Sequence, residues 1–185
     1  HLSLVRGLNF HLYGDYGLNV FNSRSLAYLK DKELESACVS FELRFAQIRD
    51  LKKVLRAEAI VYGRLPLMIT ENCLVQNETG CRLNRQGPCV PEDGPCRCGQ
   101  PNVLVDRTGA AFPLLPAYGH RTEIQNSKPL YLADRPEHRR LGLAYARLRF
   151  TTETAEECVS VVQNYLDAAP AAGDFTRGLY ERGVE

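Results

Sequence analysis

The chain has 185 residues, 44% of them apolar, with 23 basic and 22 acidic side chains and a formal net charge of +1. That length suits one domain, and that apolar content builds a core without staples. The near balance of charge removes any global electrostatic case for nucleic acid or an anionic membrane, and no apolar run approaches the roughly 18 residues of a membrane span.

The opening HLSLVRGLNF has no initiator Met and none of a signal peptide's apolar stretch or cleavage site. It enters a strand-like run almost at once and reads as a piece cut from something longer. GLNFHLYG (7–14) predicts a strand ending in a Gly-Asp turn, and LNVFN (18–22) resumes extended. Asn22-Ser23 can cap a helix through SRSLAYLKDK, 23–32. SACVSF (36–41) is too short for a helix and reads as a buried strand. In ELRFAQIRDLKKVLR (42–56), Leu43, Ile48, Leu51 and Leu55 fall at helical spacing. EAIVYG (58–63) is another strand, and LPLMIT (65–70) stays extended.

From Glu71 to about Gln100 periodicity vanishes and breakers accumulate, so the segment needs a metal or cross-links to hold it. NVLVDRTGAAFPLLPA (102–117) then predicts a hairpin turning at Arg107-Thr108-Gly109. HRTEIQNSKPLYLAD (120–134) is strand, turn at Asn126-Ser127, strand. AYARLRF (144–150) alternates Tyr145, Arg147 and Arg149 against Ala and Leu, as a strand does; the two arginines either bind an anion or are solvated. TAEECVSVVQNYLDAA (154–169) is the clearest helix, with a Thr154–Glu157 capping box, an apolar face of Val161, Val162 and Leu166, and Pro170 and Gly173 beyond its end.

Alternating strands and helices with short links argue for parallel βα units. The expected fold is α/β, a partial TIM-barrel-like (β/α) half-barrel in one domain, 1–185. The βα units occupy 1–70 and 141–185, and a cysteine-rich loop and β-hairpin are inserted over 71–140. Such a half would need its other half, or a second copy of itself.

Seven cysteines is an odd count, and the rest of the composition is that of an intracellular protein, so disulfides start at a disadvantage. Cys38 and Cys158 sit on apolar faces and read as packing thiols. The other five run Cys73-x7-Cys81-x7-Cys89-x6-Cys96-x-Cys98. Zinc fingers prefer tighter pairs, so the gaps leave a [4Fe–4S] cluster and a three-Cys, one-His zinc site both open. His120, after Tyr118-Gly119, is the imidazole that a hairpin return could bring near; the plainer reading is a surface histidine. His11 reads as a satisfied strand histidine. Thiol catalysis would need a base, and the loop holds no His.

In parallel α/β folds reactive groups stand where strands end in loops. That picks out Asp15, Asn19 and Asn22 after the first strand, Glu42 after ACVSF, and Arg64 after IVYG. Glu42 has the strongest case as a general acid–base, with Asp15 second; the plainer reading of each is a cap or a turn.

Six phrases in order, GDYGLNVFNSRSLAYL, VSFELRFAQIRDL, EAIVYGRLPLMITENC, LVDRTGAAFPL, HRTEIQNSKPLYLADR and FTRGLYERG, resemble the peptidase U32 family of collagenase-like proteases. The resemblance implies a TIM-barrel-like fold of which this chain holds the later strands, a bacterial origin and a cytoplasmic setting. It implies a hydrolase acting on peptides. Other members resemble iron–sulfur proteins that hydroxylate RNA bases or small aromatic precursors. A non-catalytic, metal-stabilised module is a third reading. Carried onto this sequence, the ligand pattern implies Cys73, Cys81 and Cys98 (with Cys96 as the alternative to Cys98). His120 stands where the family's fourth cysteine is expected, so the cofactor is an iron–sulfur cluster or zinc. Implied partners are the remainder of a longer U32 polypeptide or a second copy, with peptide or RNA as substrate and no membrane.

Overall fold

The computed structural model describes residues 2–5, 9–79, 97 and 100–182. Its elements run α1 (Leu2–Val5), β1 (Leu12–Gly14), α2 (Ser23–Asp31), β2 (Leu34–Cys38), α3 (Phe45–Asp50), β3 (Arg56–Gly63), β4 (Pro66–Thr70) and α4 (Leu74–Thr79). They continue with β5 (Asn102–Val105), β6 (Ala111–Ala117), β7 (Arg121–Gln125), β8 (Leu130–Tyr131), β9 (Tyr145–Leu148) and α5 (Ala155–Asp167). Two compact units result. The first draws on His1–Gly63, Leu130–Phe150 and Ala155–Glu185, and the second on Arg64–Pro129 with Thr151–Thr154.

The first unit is a mixed sheet with helices. β1, β2 and β3 pair in parallel in chain order, and β9 adds in parallel to β3. β8 pairs antiparallel with the last residues of β3, Tyr62 to Tyr131 and Gly63 to Leu130. The α/β expectation holds, with four parallel strands, but the sheet does not close into a barrel among the described residues.

Local chemistry fixes most element ends. The Asn22 side chain accepts from the Ser25 N–H at 2.9 Å and starts α2. α3 is shorter than its apolar spacing predicts, six residues rather than a helix through Leu55. Leu51 turns extended, and Lys53 Nζ donates to the carbonyls of Ile48, Arg49 and Leu51, satisfying the helix end early. Leu55 is still buried, so its spacing reported burial correctly and helix wrongly. α5 stops at Asp167 because Ala168 takes φ 53, before Pro170 and Gly173 are reached.

The core of this unit is made by Val20, Leu26, Val39, Leu43, Ile48, Ile60, Leu130, Leu132 and Tyr180, all essentially inaccessible. Each such side chain contributes about 2 kcal/mol by leaving water. Tyr180 is wholly buried and satisfies its hydroxyl by donating to the Ile60 carbonyl at 2.6 Å. An aromatic cluster of Tyr62, Tyr131, Phe150 and Tyr165 packs where β3 meets β8. Gly63 adopts φ +119, and a Cβ there would lie 2.0 Å from the Arg149 carbonyl oxygen, so only glycine fits.

The second unit is an antiparallel sheet in the order β4-β7-β6-β5. The expected hairpin is present: Asp106 Oδ1 accepts from the N–H of Thr108 and Ala110 and from the Thr108 hydroxyl, closing the turn. Arg64 donates to the carbonyls of Asn126 and Ser127 and fixes the far turn. β7 and β8 were expected as two strands around Asn126-Ser127, and both form, but in different sheets. The buried cluster of this sheet is small: Cys73, Val75, Leu114 and Ile124, with Leu74 and Phe112 against it. Leu67, Met68 and Ile69 on one edge strand and Val103, Leu104 and Val105 on the other are exposed.

Candidate functional site

Sheet register decides which chain ends meet in the second unit. Thr70 of β4 pairs with Thr122 of β7, Ala117 of β6 with Arg121 of β7, and Asn102 of β5 with Leu114 of β6. The exit of β4, the exit of β6 and the entry of β7 therefore share one end of the sheet, and β5 begins three residues short of it, opposite the middle of β6. Cys73 follows Thr70 by three residues, and His120 immediately precedes Arg121. The join is braced by a Glu71–Arg121 ion pair at 2.9 Å and by the Leu74 N–H donating to Thr122 Oγ1 at 3.0 Å. Arg97, the residue between Cys96 and Cys98, is tied to the start of β5: its carbonyl accepts from Asn102 Nδ2 at 2.9 Å.

Cys73 is buried in the small apolar cluster. His120 is half-buried and takes φ 61 directly after Gly119 at φ 74. Left-handed backbone costs a non-glycine residue about 1 kcal/mol, although histidine enters this region more readily than most. Cys81, Cys89, Cys96 and Cys98 lie outside the described residues. Among the described residues no group of three or more His, Cys, Asp or Glu could hold a metal.

A second cluster lies in the first unit. Arg147 of β9 pairs with Glu58 of the neighbouring β3 and with Asp15, just past β1. Three strand spacings, about 14 Å on a flat sheet, separate β9 from β1, so the guanidinium reaches across the sheet face. One layer further, Arg149 lies 5.4 Å from the centre of the Tyr16 ring and donates to its hydroxyl at 3.4 Å. Burial works against the Arg147 charge, but Glu58 and Asp15 outweigh it and hold the guanidinium above its ordinary value. Burial pushes the neighbouring Cys38 thiol up to about 12, which removes it as a nucleophile at neutral pH. The packing reading of Cys38 stands, and Cys158 is half-exposed.

The remaining sequence candidates are accounted for locally. Asp15 also caps the 3-10 turn Tyr16–Leu18, accepting from the Tyr16 N–H at 2.7 Å. Asn19 ends that turn at φ 48, and Asn22 caps α2. Glu42 is half-buried in the turn after β2, its N–H donating to Ser40 Oγ at 3.4 Å; no hydrogen bond or ion pair joins it to Asp15. His11 stands ahead of β1 rather than within it, exposed and paired with Glu35, which that bond holds below its usual range. Glu58 escaped sequence reasoning, although an acid inside the apolar run AEAIVYG was a signal for a buried partner.

The sequence model of peptidase family U32 matches residues 4–106, more than half of the chain. The chain belongs to peptidase family U32. No curated protein and no solved structure matches it. The U32 match takes in β1 to β5, Asp15, Glu42, Glu58 and all five clustered cysteines, and it ends before His120 and Arg147. No helix of this U32 chain is long and apolar enough to cross a membrane among the described residues.

Proposed function

We propose that this U32 chain carries a metal centre at the shared end of the four-stranded sheet and serves a peptidase of the family. Cys73, Cys81, Cys98 and His120 are the ligands, with Cys96 the alternative to Cys98. One observation supports the reading: the strand before Cys73 stops and the strand after His120 begins at one sheet end, while Arg97, between Cys96 and Cys98, is bonded to the first residue of β5. Three thiolates and an imidazole suit tetrahedral zinc, and they also suit an iron–sulfur cluster with one histidine corner. When bound, zinc would supply a cross-link and an iron–sulfur cluster would add one-electron chemistry.

The parallel strands β1, β2, β3 and β9 read as one arc of a TIM-barrel-like (β/α) half-barrel, a reading supported by the ion pair that reaches across their face. A peptide would meet the loops at the C-terminal ends of these strands. There Glu42 serves as general acid–base, while Asp15 is held by Arg147 and positions the loop after β1. Anaerobic purification with metal and sulfide analysis, on the wild type and on Cys73→Ser, Cys81→Ser, Cys98→Ser and His120→Ala, tests the centre. Each variant should lose most of the metal; a wild-type chain devoid of zinc and iron after reconstitution ends the proposal. On peptide substrates Glu42→Gln should slow hydrolysis about 100-fold. Absence of peptide hydrolysis together with an iron–sulfur spectrum would move the reading to hydroxylation of RNA or a small aromatic compound.

A further inference from the structure

At one end of the parallel sheet three loops bring an aromatic pair and a guanidinium together. Tyr16 stands two residues past β1, Phe41 three past β2 and Arg149 one past β9. β1, β2, β3 and β9 run in the same direction, so these are C-terminal strand ends, where α/β folds gather their reactive groups. The Tyr16 and Phe41 rings are 5.9 Å apart and tilted by 54°. Arg149 lies over the same Tyr16 ring, 5.4 Å from its centre. Glu42 directly follows Phe41. The chain of contacts therefore runs from a cation, across two rings, to the neighbour of a carboxylate.

Its members are held from beneath. The Arg149 N–H donates to the Tyr62 carbonyl at 2.9 Å, and the Arg149 carbonyl closes over Gly63, where a Cβ would meet it at 2.0 Å. Tyr16 opens a 3-10 turn whose N-cap, Asp15, accepts from the Tyr16 N–H at 2.7 Å. Asp15 is paired with Arg147, and Arg147 with Glu58, whose side chains are 29% and 11% exposed. A largely buried ion network thus fixes the loop that carries the ring on which Arg149 rests. A merely solvated arginine needs no such support, whereas a guanidinium that must present one geometry does. Its donors lie in its own plane, so contact with a ring does not consume them, and that planar fork matches a carboxylate.

We propose that Arg149 is the specificity residue of the peptidase site, holding a carboxylate of the substrate while Glu42 works at the scissile bond. The inference rests on that reading of Glu42. From the guanidinium to the Tyr16 ring and on to the Phe41 ring is at most about three extended residues. The terminal carboxylate of a short peptide bound on Arg149 therefore sets its last few peptide bonds beside Glu42. An acidic side chain at the same distance offers the same chemistry. Cleavage close to a carboxylate follows, and chains without one in reach are poor substrates.

The test is binding of a fluorescein-labelled tetra-alanine peptide to the full chain, read by polarisation. Three forms are compared: the free acid, the C-terminal amide, and the amide with one alanine replaced by glutamate. The wild type should hold the free acid about 10-fold more tightly than the amide. Arg149→Gln should bring the two within about 2-fold, and Arg149→Lys, which keeps the charge without the fork, should leave an intermediate preference. Glutamate that restores the amide's affinity assigns the contact to any carboxylate in reach, and failure to restore it assigns the contact to the chain terminus. A wild type indifferent to both carboxylates overturns the proposal. So does an Arg149→Gln chain with native far-ultraviolet circular dichroism that keeps the preference; if that variant loses its native spectrum, an unchanged preference in Arg149→Lys overturns it equally. Binding needs no turnover, so a carboxylate preference in a wild type that hydrolyses no peptide sinks the role of Glu42 and leaves the Arg149 site standing.

Discussion

The two units solve the problem of burying apolar surface very differently. The parallel unit hides Leu26, Leu43, Ile48, Ile60, Leu130, Leu132 and Tyr180 completely and satisfies its buried hydroxyls on backbone carbonyls. The antiparallel unit buries a cluster of four, and six aliphatic residues on its two edge strands stay exposed. A four-stranded sheet with so small a core gains less from packing than the parallel unit does, and the proposed metal centre would add a cross-link to it. Of the five clustered cysteines, the one among the described residues, Cys73, lies in that small core.

Substitutions sharpen the contrast, beginning with the most damaging. Gly63→Ala drives a Cβ into the Arg149 carbonyl and should cost about 3–4 kcal/mol in urea denaturation, felt in the parallel unit. A cost under about 1 kcal/mol would mean that the β3–β9 approach is looser than described. Ile124→Ala, in the small cluster, should cost about 3 kcal/mol and raise amide exchange in β4 and β7 while sparing β2 and β3. Equal loss in both sheets would merge the units energetically.

Asp134 tests the parallel unit by pH. Its carboxylate accepts two hydrogen bonds from Arg177, and that bond first of all holds its pKa below the usual carboxylate value. The folded value is depressed, so this stability is fully present above the unfolded pKa of about 3.9. It is lost as pH falls through the lower folded value. Asp134→Asn should be less stable than the wild type at pH 6, and the gap should narrow as pH is lowered below about 4. A constant gap would show that the pair acts through shape rather than charge. Arg121→Ala should matter least, about 0.5 kcal/mol or less, because the Glu71–Arg121 pair is exposed.

Much of this was legible in the sequence where local chemistry governs. Asn22 before an apolar-periodic run, and Arg107-Thr108-Gly109 between two extended runs, placed a helix start and a hairpin turn correctly. Periodicity failed where it reported only burial: Leu51 and Leu55 kept helical spacing through a segment that Lys53 caps off early. What alternation could not supply was partnership. Arg147 was visible on a strand, but its partner Asp15 is 132 residues away, and Glu58 was passed over because a single acid does not disturb a strand's pattern. The division of β7 and β8 between two sheets is likewise a tertiary fact, invisible to a turn at Asn126-Ser127. Of the candidate centre, the sequence supplied the donor types; the pairing of β4 with β7 joins their chain neighbours, Glu71 to Arg121 and Leu74 to Thr122.

The most direct measurement is amide exchange on the metal-loaded chain before and after chelation. The account predicts that protection in Pro66–Thr70 and Arg121–Gln125 collapses when the metal is withdrawn, while Leu34–Cys38 and Arg56–Gly63 keep theirs. Identical protection in both sheets with and without metal would contradict it.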